Sequence, residues 1–281
     1  MATAIVTDST AYIPKDELEK YNIHMVPLSV VINGETYEEE VNLSADEFYE
    51  KIRGGKELPT STQPPIGKFV ALFEELAKDY DEIVTIHLSS GISGTYQGAL
   101  AAADMVDHVK VYGFDTEVAC YMQGMYAIHA ARLAKTGASA KEILEHLEEM
   151  KKTEKEFILV DDLSHLQRGG RLSAASALIG SLLQVKPILH FSDKVIVPFE
   201  KIRTKKKALK RIEDLLAEDV AKYGAIEATV IHANCEQERD EWLNHLRAEF
   251  PTVDFYPSYF GAVVGTHLGE GALAMGWFAK K

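Results

Sequence analysis

The chain has 281 residues, 46% of them apolar and 26% charged, an ordinary composition for a globular protein that excludes disorder, collagen and coiled coil as the main reading. Its 30 basic residues against 43 acidic ones leave a formal net charge of −13, which sets it against nucleic acid and anionic membrane surfaces as general partners. The two cysteines, Cys120 and Cys235, form no CxxC pair, so neither a disulfide framework nor a zinc cluster is expected.

The elements follow in chain order. A first strand is predicted at Ala4-Ile5-Val6, and a second from Val26 to Ile32 with a turn at Asn33-Gly34. A third covers Ile83 to Leu88, a fourth Val109 to Phe114, and a fifth Phe157 to Val160. These runs are short and almost wholly apolar, as buried parallel strands are. Helices lie between them. Ser44-Ala45-Asp46-Glu47 and Ser139-Ala140-Lys141-Glu142 are capping boxes, each followed by apolar residues at helical spacing. The alternation predicts a parallel α/β domain over residues 1–162.

Residues 163–281 read as a second, mixed α/β domain. A hairpin is predicted from Ile188–Phe191 and Val195–Phe199 about Ser192-Asp193-Lys194. A helix over Thr204–Tyr223, a strand over Ala228–His232, a helix over Glu236–Phe250 and a strand over Val253–Tyr256 precede a Gly-rich tail. No Pro-, Gly- or Ser-rich linker separates the halves, so they are expected to pack tightly. No apolar run reaches the roughly 18 residues of a membrane span. The N-terminal residues carry no basic segment before Asp8, which argues against a signal peptide and for a cytoplasmic protein.

Ligand crevices in parallel sheets lie beyond the carboxyl ends of the strands. Hydroxyls recur there: Thr7-Asp8-Ser9-Thr10 after the first strand, Ser89 to Thr95 after the third, and Asp115-Thr116 after the fourth. Each alone is an ordinary cap or turn residue. The segment Ser89-Ser90-Gly91-Ile92-Ser93-Gly94-Thr95 is the sharpest. Its glycines free backbone N–H groups, and a helix begins there, which makes an anion site. It is not a Walker A loop or a dinucleotide fingerprint, and it misses the nucleophile-elbow spacing by one residue. Ser61 or Thr62, in Thr60-Ser61-Thr62-Gln63-Pro64-Pro65, is placed near the N-cap of the next helix. If both hydroxyl clusters face one cavity, a monoanionic carboxylate fits best, because neither carries an adjacent Lys or Arg. In the tail, His267 is either a donor to that anion or a buried histidine bonded to backbone. No metal-ligand spacing such as HExxH occurs. Arg168-Gly169-Gly170-Arg171 and Arg203-Thr204-Lys205-Lys206-Lys207 break the acidic background and suggest docking of an acidic partner or a phosphate, or simply a solvated helix face.

Taken together, Thr7-Asp8-Ser9-Thr10, Ser61-Thr62-Gln63-Pro64, Ser89 to Tyr96, Arg168 to Ser173, Lys186-Pro187-Ile188-Leu189, Arg203-Thr204-Lys205 and Gly265-Thr266-His267-Leu268-Gly269 resemble the DegV family, in that order and over nearly the whole chain. Within it the sequence is most similar to the fatty-acid-binding subunits of bacterial fatty acid kinase. Three departures are visible: Ser61-Thr62 reverses the common Thr-Ser order, Gly261-Ala262-Val263 stands where Gly-Pro-Val is usual, and Glu270 stands where a smaller residue is common.

The resemblance implies a two-domain α/β fold with one long-chain fatty acid held between the domains. It implies a carboxylate bound by Ser61 or Thr62, by Ser93 and by His267, with Gly91, Ile92, Gly94 and Thr95 as the supporting loop. It implies no cofactor, no metal and no catalytic residue in this chain. A separate ATP-dependent kinase subunit would phosphorylate the bound acid to an acyl phosphate for phospholipid synthesis, with Arg171 and Arg203 docking that partner or a phosphate, and with transient membrane contact for lipid exchange. A buried C16–C18 chain, at about 0.8 kcal/mol per methylene, is ample for tight retention. Rival readings are a serine hydrolase using Ser93 with His267, a binder of a small carbonyl compound through His267, and an interaction protein with a vestigial pocket.

Overall fold

The computed structural model describes residues 2–54, 58–172 and 186–280. β1 (Thr3–Asp8) leads through a short helical turn to α1 (Lys15–Tyr21) and β2 (Ile23–Val26). β3 (Ser29–Ile32), β4 (Glu35–Glu38), α2 (Ala45–Ile52), β5 (Thr60–Thr62) and α3 (Ile66–Leu76) follow. β6 (Glu82–His87), α4 (Thr95–Ala103) and β7 (Lys110–Asp115) complete the first part. The strands β2-β1-β6-β7, in that order, form a wholly parallel sheet. Every residue of β1 and of β6 is buried, which is why the centre of each reads as a short run rich in apolar residues.

The predicted strand Val26–Ile32 is broken in two. Pro27 has no N–H for a ladder and fixes its φ, so the chain leaves the parallel sheet at Val26 and re-enters order at Ser29. There it joins a separate antiparallel sheet, β4-β3-β5. The expected turn is present: Asn33 and Gly34 both adopt positive φ, 52° and 82°, and close a two-residue hairpin between β3 and β4.

After β7 come α5 (Cys120–Lys135), α6 (Ala140–Lys151) and β8 (Lys155–Leu159), then α7 (Ser164–Arg168). β9 (Lys186–Ser192), β10 (Val195–Ile202), α8 (Lys205–Tyr223), β11 (Ile226–His232), α9 (Glu236–Glu249), β12 (Val253–Tyr259), α10 (Ala262–Leu268) and β13 (Leu273–Ala279) follow. The six-stranded sheet β10-β9-β8-β13-β11-β12 is mixed: only β11 and β12 are parallel. β8, read as a parallel strand alongside the first four, is antiparallel to both its neighbours and belongs to this second sheet. The Gly-rich tail resolves into α10 and β13, and β13 is an interior strand.

Eleven of the 16 residues of α5 are buried, because the helix has a sheet on each side. One apolar core joins Ile5, Val84 and Ile86 of the parallel sheet, Met122 and Tyr126 of α5, Ile143 and Leu147 of α6, and Ile158, Ala274 and Phe278 of the mixed sheet. The outer faces are closed by α3 and α4 through Phe69, Phe73 and Ala99, and by α8 and α9 through Ile212, Leu216 and Trp242. Among the described residues, no helix is long and apolar enough to cross a membrane.

Candidate functional site

Beyond the carboxyl end of β6 the chain turns through Ser89–Gly94 before α4 begins. Ser89 donates its hydroxyl to the Lys194 carbonyl at 2.6 Å. Ser90 donates backbone and side chain to the Asp115 carboxylate, which also pairs with Lys194 Nζ at 2.9 Å. Burial pushes the Asp115 carboxyl up, but the bonds from Ser90 and Lys194 outweigh it and hold the group below its ordinary range. The turn of the β9–β10 hairpin is thereby fastened to the loop. Gly91 is required where the two meet: a Cβ there would lie 2.3 Å from the Lys194 carbonyl oxygen. On the other side, a Cβ on Gly94 would lie 2.1 Å from Gln63 Oε1, so this loop packs directly on the segment that follows β5.

Ser61 and Thr62 are therefore not helix caps. They belong to β5, and α3 starts after Pro65 with no side-chain cap. Ser61 Oγ lies 2.8 Å from Nε2 of His267, on α10. Ser93 Oγ bonds the Thr95 hydroxyl at 2.9 Å and accepts the Thr95 N–H. Ser61, Thr62, Ile92, Ser93, Gly94 and His267 all line one cavity, together with Arg171. Thr95 is buried behind the loop, where its contact is with Ser93, and Gly91 sits against the hairpin. Apart from Gln63 and Glu156 the rest of the wall is apolar and includes Leu28, Leu88, Ile158, Phe191, Ile196 and Leu268. The cavity lies between the parallel and mixed sheets.

Burial and then the Arg171 guanidinium push the His267 imidazole down to about 4, so the ring is neutral near pH 7. Its Nδ1 is buried without a hydrogen-bond partner among the described residues. A Cβ on Gly169 would stand 2.3 Å from that nitrogen, so Gly169 leaves room for the ring. Arg171 donates to the carbonyls of Gly169, at 2.6 Å, and Ile92, at 3.3 Å. The structure thus corrects the expectation that the hydroxyl clusters lack a cation: Arg171 is remote in sequence and adjacent in space. The Ser93–His267 couple is not formed either, since Ser93 bonds Thr95 and His267 bonds Ser61. An imidazole held near 4 is also a weak base for such a couple.

Other expectations are placed elsewhere. Arg203 is exposed at the end of β10 and lies outside the cavity. Its basic neighbours are largely paired within the chain: Lys205 with Glu238, Lys210 with Asp214 and Arg211 with Glu200. Ser173, the last residue of the Arg168 motif, lies outside the described residues. The hydroxyls after β1 turn inward. Thr7 donates to the Ile86 carbonyl, and Thr10 bonds Asp8 and Gln123. Asp8 in turn binds His87 at 2.8 Å. This network braces strand ends rather than lining the cavity.

A residue that sequence reasoning passed over holds α10 in place. Glu39 is fully buried. Its Oε1 accepts the Val263 N–H at 2.7 Å, in the first turn of α10, and the Tyr12 hydroxyl at 3.0 Å. Its Oε2 accepts the Ser9 hydroxyl at 2.7 Å. Burial raises its carboxyl to about 7 against the pull of the bonds from Ser9 and Val263. Among the described residues, no group of three or more His, Cys, Asp or Glu could hold a metal ion.

The family described as "Uncharacterised protein, DegV family" matches residues 2–280. Protein DegV of Bacillus subtilis (strain 168) is 60% identical over 281 residues, which is 100% of both chains. The crystal structure of DegV, a fatty acid binding protein from Bacillus subtilis, is similar with a TM-score of 0.95 at 59% identity over 100% of both chains. That of a fatty acid binding DegV family protein from Streptococcus agalactiae is similar with a TM-score of 0.91 at 33% identity, again over 100% of both chains.

Proposed function

The chain belongs to the DegV family, and from that membership and its cavity we propose that it binds one long-chain fatty acid and presents the carboxylate to a separate kinase. The observation that carries this reading is the cavity itself. A wall of aliphatic and aromatic side chains ends in Ser61, Thr62, Ser93, His267 and Arg171. An apolar chain gains about 0.8 kcal/mol per buried methylene. A buried carboxylate needs hydrogen-bond donors or it takes up a proton instead. Two similar proteins are described as fatty acid binding.

In this reading the neutral His267 donates from Nε2 to Ser61, which turns the Ser61 hydroxyl proton toward the carboxylate. Ser93 and the N–H groups at the start of α4 donate from the other side. Arg171 balances the charge from the cavity wall, already engaged by two carbonyls and so not free to clamp the head as a bidentate pair. The carboxylate keeps lone pairs for attack on the terminal phosphate of ATP, bound and activated by the partner. The chain is then a carrier for an ATP-dependent kinase subunit, and the acyl phosphate feeds phospholipid synthesis. Residues 1–162 supply most of the carboxylate end, and residues 163–281 close the cavity. Arg203, exposed beside the start of α8, is the docking contact for the partner. The protein is cytoplasmic and meets membranes only transiently, to exchange lipid.

Mass spectrometry of the purified protein, native and after organic extraction, tests the reading. One fatty acid per chain is expected, with His267→Ala and Arg171→Ala each retaining at most about a tenth as much, as loss of a buried charged hydrogen bond implies. An empty wild-type protein that also fails to take up stearate or oleate overturns it.

A further inference from the structure

Deeper in the same cavity lies an acid that carboxylate binding does not use. Glu156 of β8 is buried and lines the wall, with its side chain on the same strand face as Ile158. Neither of its carboxyl oxygens has a hydrogen-bond partner among the described residues. A fully buried glutamate is rare unless it is paired, and an unsatisfied one is costly. Ala119 and Cys120, at the start of α5, line the cavity beside it. Cys120 is held in the left-handed region, with φ 60°, and α5 has no side-chain cap. Apolar side chains make up most of the rest of the lining, so this is a polar spot in a largely apolar cavity.

We infer that Glu156 receives an oxygen function carried on the acyl chain itself, so that the protein accommodates hydroxylated long-chain fatty acids alongside unsubstituted ones. The inference rests on the fatty-acid reading of the cavity and names its substrate class. Burial, then the charge of Glu154, hold the Glu156 carboxyl well above its ordinary range, while the Ala119 amide leans the other way without reaching hydrogen-bond geometry. Burial thereby favours the protonated form. It can donate to a hydroxyl oxygen and accept the hydroxyl proton at its other oxygen, satisfying two orphaned atoms at once. The Cys120 thiol, raised by burial and then by Glu156, stays protonated and is no rival as an anion.

Delipidated wild type, E156Q and E156L are titrated with stearate and with a positional series of monohydroxystearates, by displacement of a fluorescent fatty acid. Circular dichroism checks the fold of each variant. At least one positional isomer is expected to bind wild type as tightly as stearate. The same isomer should bind E156L about 10-fold or more weakly, while stearate binds E156L at least as well as it binds wild type. The inference is overturned if every isomer binds wild type at least about 10-fold more weakly than stearate, the result of an unpartnered buried hydroxyl. It is also overturned if E156L shifts stearate and all isomers by one factor. Should E156L not fold, the ranking on wild type and its loss or survival in E156Q decide. Failure of stearate itself to bind wild type removes the fatty-acid reading instead.

Discussion

Replacing Glu39 with alanine is expected to lower stability by about 3 kcal/mol at pH 5 and to weaken fatty-acid retention with it. Three donors lose their acceptor: Ser9, Tyr12 and the Val263 N–H. Unsatisfied buried donors cost about 1–3 kcal/mol each before relaxation. Because the last of them lies in the first turn of α10, the helix that carries His267 loses its anchor to the segment that follows β4. Urea unfolding and extracted lipid, measured on the same preparation, check both parts. An unchanged midpoint would sink the anchoring role.

The pH dependence follows from the same carboxyl. Its folded value is about 7 against the ordinary 4.5 of a glutamate, so it is raised on folding. Its contribution is therefore fully present below about 4.5 and is lost as pH rises through 7, a change of about 3 kcal/mol. Glu154, raised by burial to about 8, carries the decline further in the same direction. Wild type is expected to be more stable at pH 5 than at pH 8.5. Glu39→Gln should remove the Glu39 share of that slope, and urea midpoints at the two pH values measure it. Equal slopes in wild type and variant would contradict the assignment.

Gly91→Ala carries the second large effect. The added methyl would meet the Lys194 carbonyl, a backbone group in a two-residue hairpin turn that cannot swing aside as a side chain does. Overpacking of this kind costs about 1–3 kcal/mol. The loop must lift off the β9–β10 hairpin, and Ser93 moves with it. A loss of fatty-acid affinity of roughly tenfold, about 1.4 kcal/mol, is expected together with the lower melting temperature. Gly67→Ala is the control, since a Cβ there meets nothing within 4 Å. Equal behaviour of the two variants would show that the close approach does not constrain the loop.

Much of the parallel sheet was legible, because strands buried on both faces leave short apolar runs, but β8 leaves the same run inside a mixed sheet and so read as parallel. The loop after β6 was legible for a related reason: strand ends in such sheets point at the ligand, and glycines with hydroxyls mark where backbone is exposed to it. Pro27 carried enough information to split the strand around it. Glu39 was not legible, since it stands in the acidic run Glu38-Glu39-Glu40 and only the fold distinguishes it from its exposed-looking neighbours. Arg171 was seen as a surface cation because its partners, the Ile92 and Gly169 carbonyls, are backbone groups with no sequence signature. β13 was hidden by the glycines before it and by Gly276 within it. That glycine is a packing requirement, since a Cβ would come 2.5 Å from Met122 Cγ.

The place of β13 in its sheet bears on how the protein is made. It lies between β8 and β11, and synthesis delivers it after every other described strand. Until then β8 and β11 each present an open edge toward the gap, and the side chains of α5 that pack on Ala274 and Phe278 have no cover. The second sheet therefore cannot close before residue 279 has been made, whereas the parallel sheet has all its strands by residue 115. Stalled nascent chains ending before residue 273 should show protease resistance in the first 115 residues and rapid cleavage beyond them. Resistance throughout would mean that β8 and β11 find another partner first. The last of the described strands to be made is thus the one that completes the sheet whose β8, β9 and β10 line the cavity.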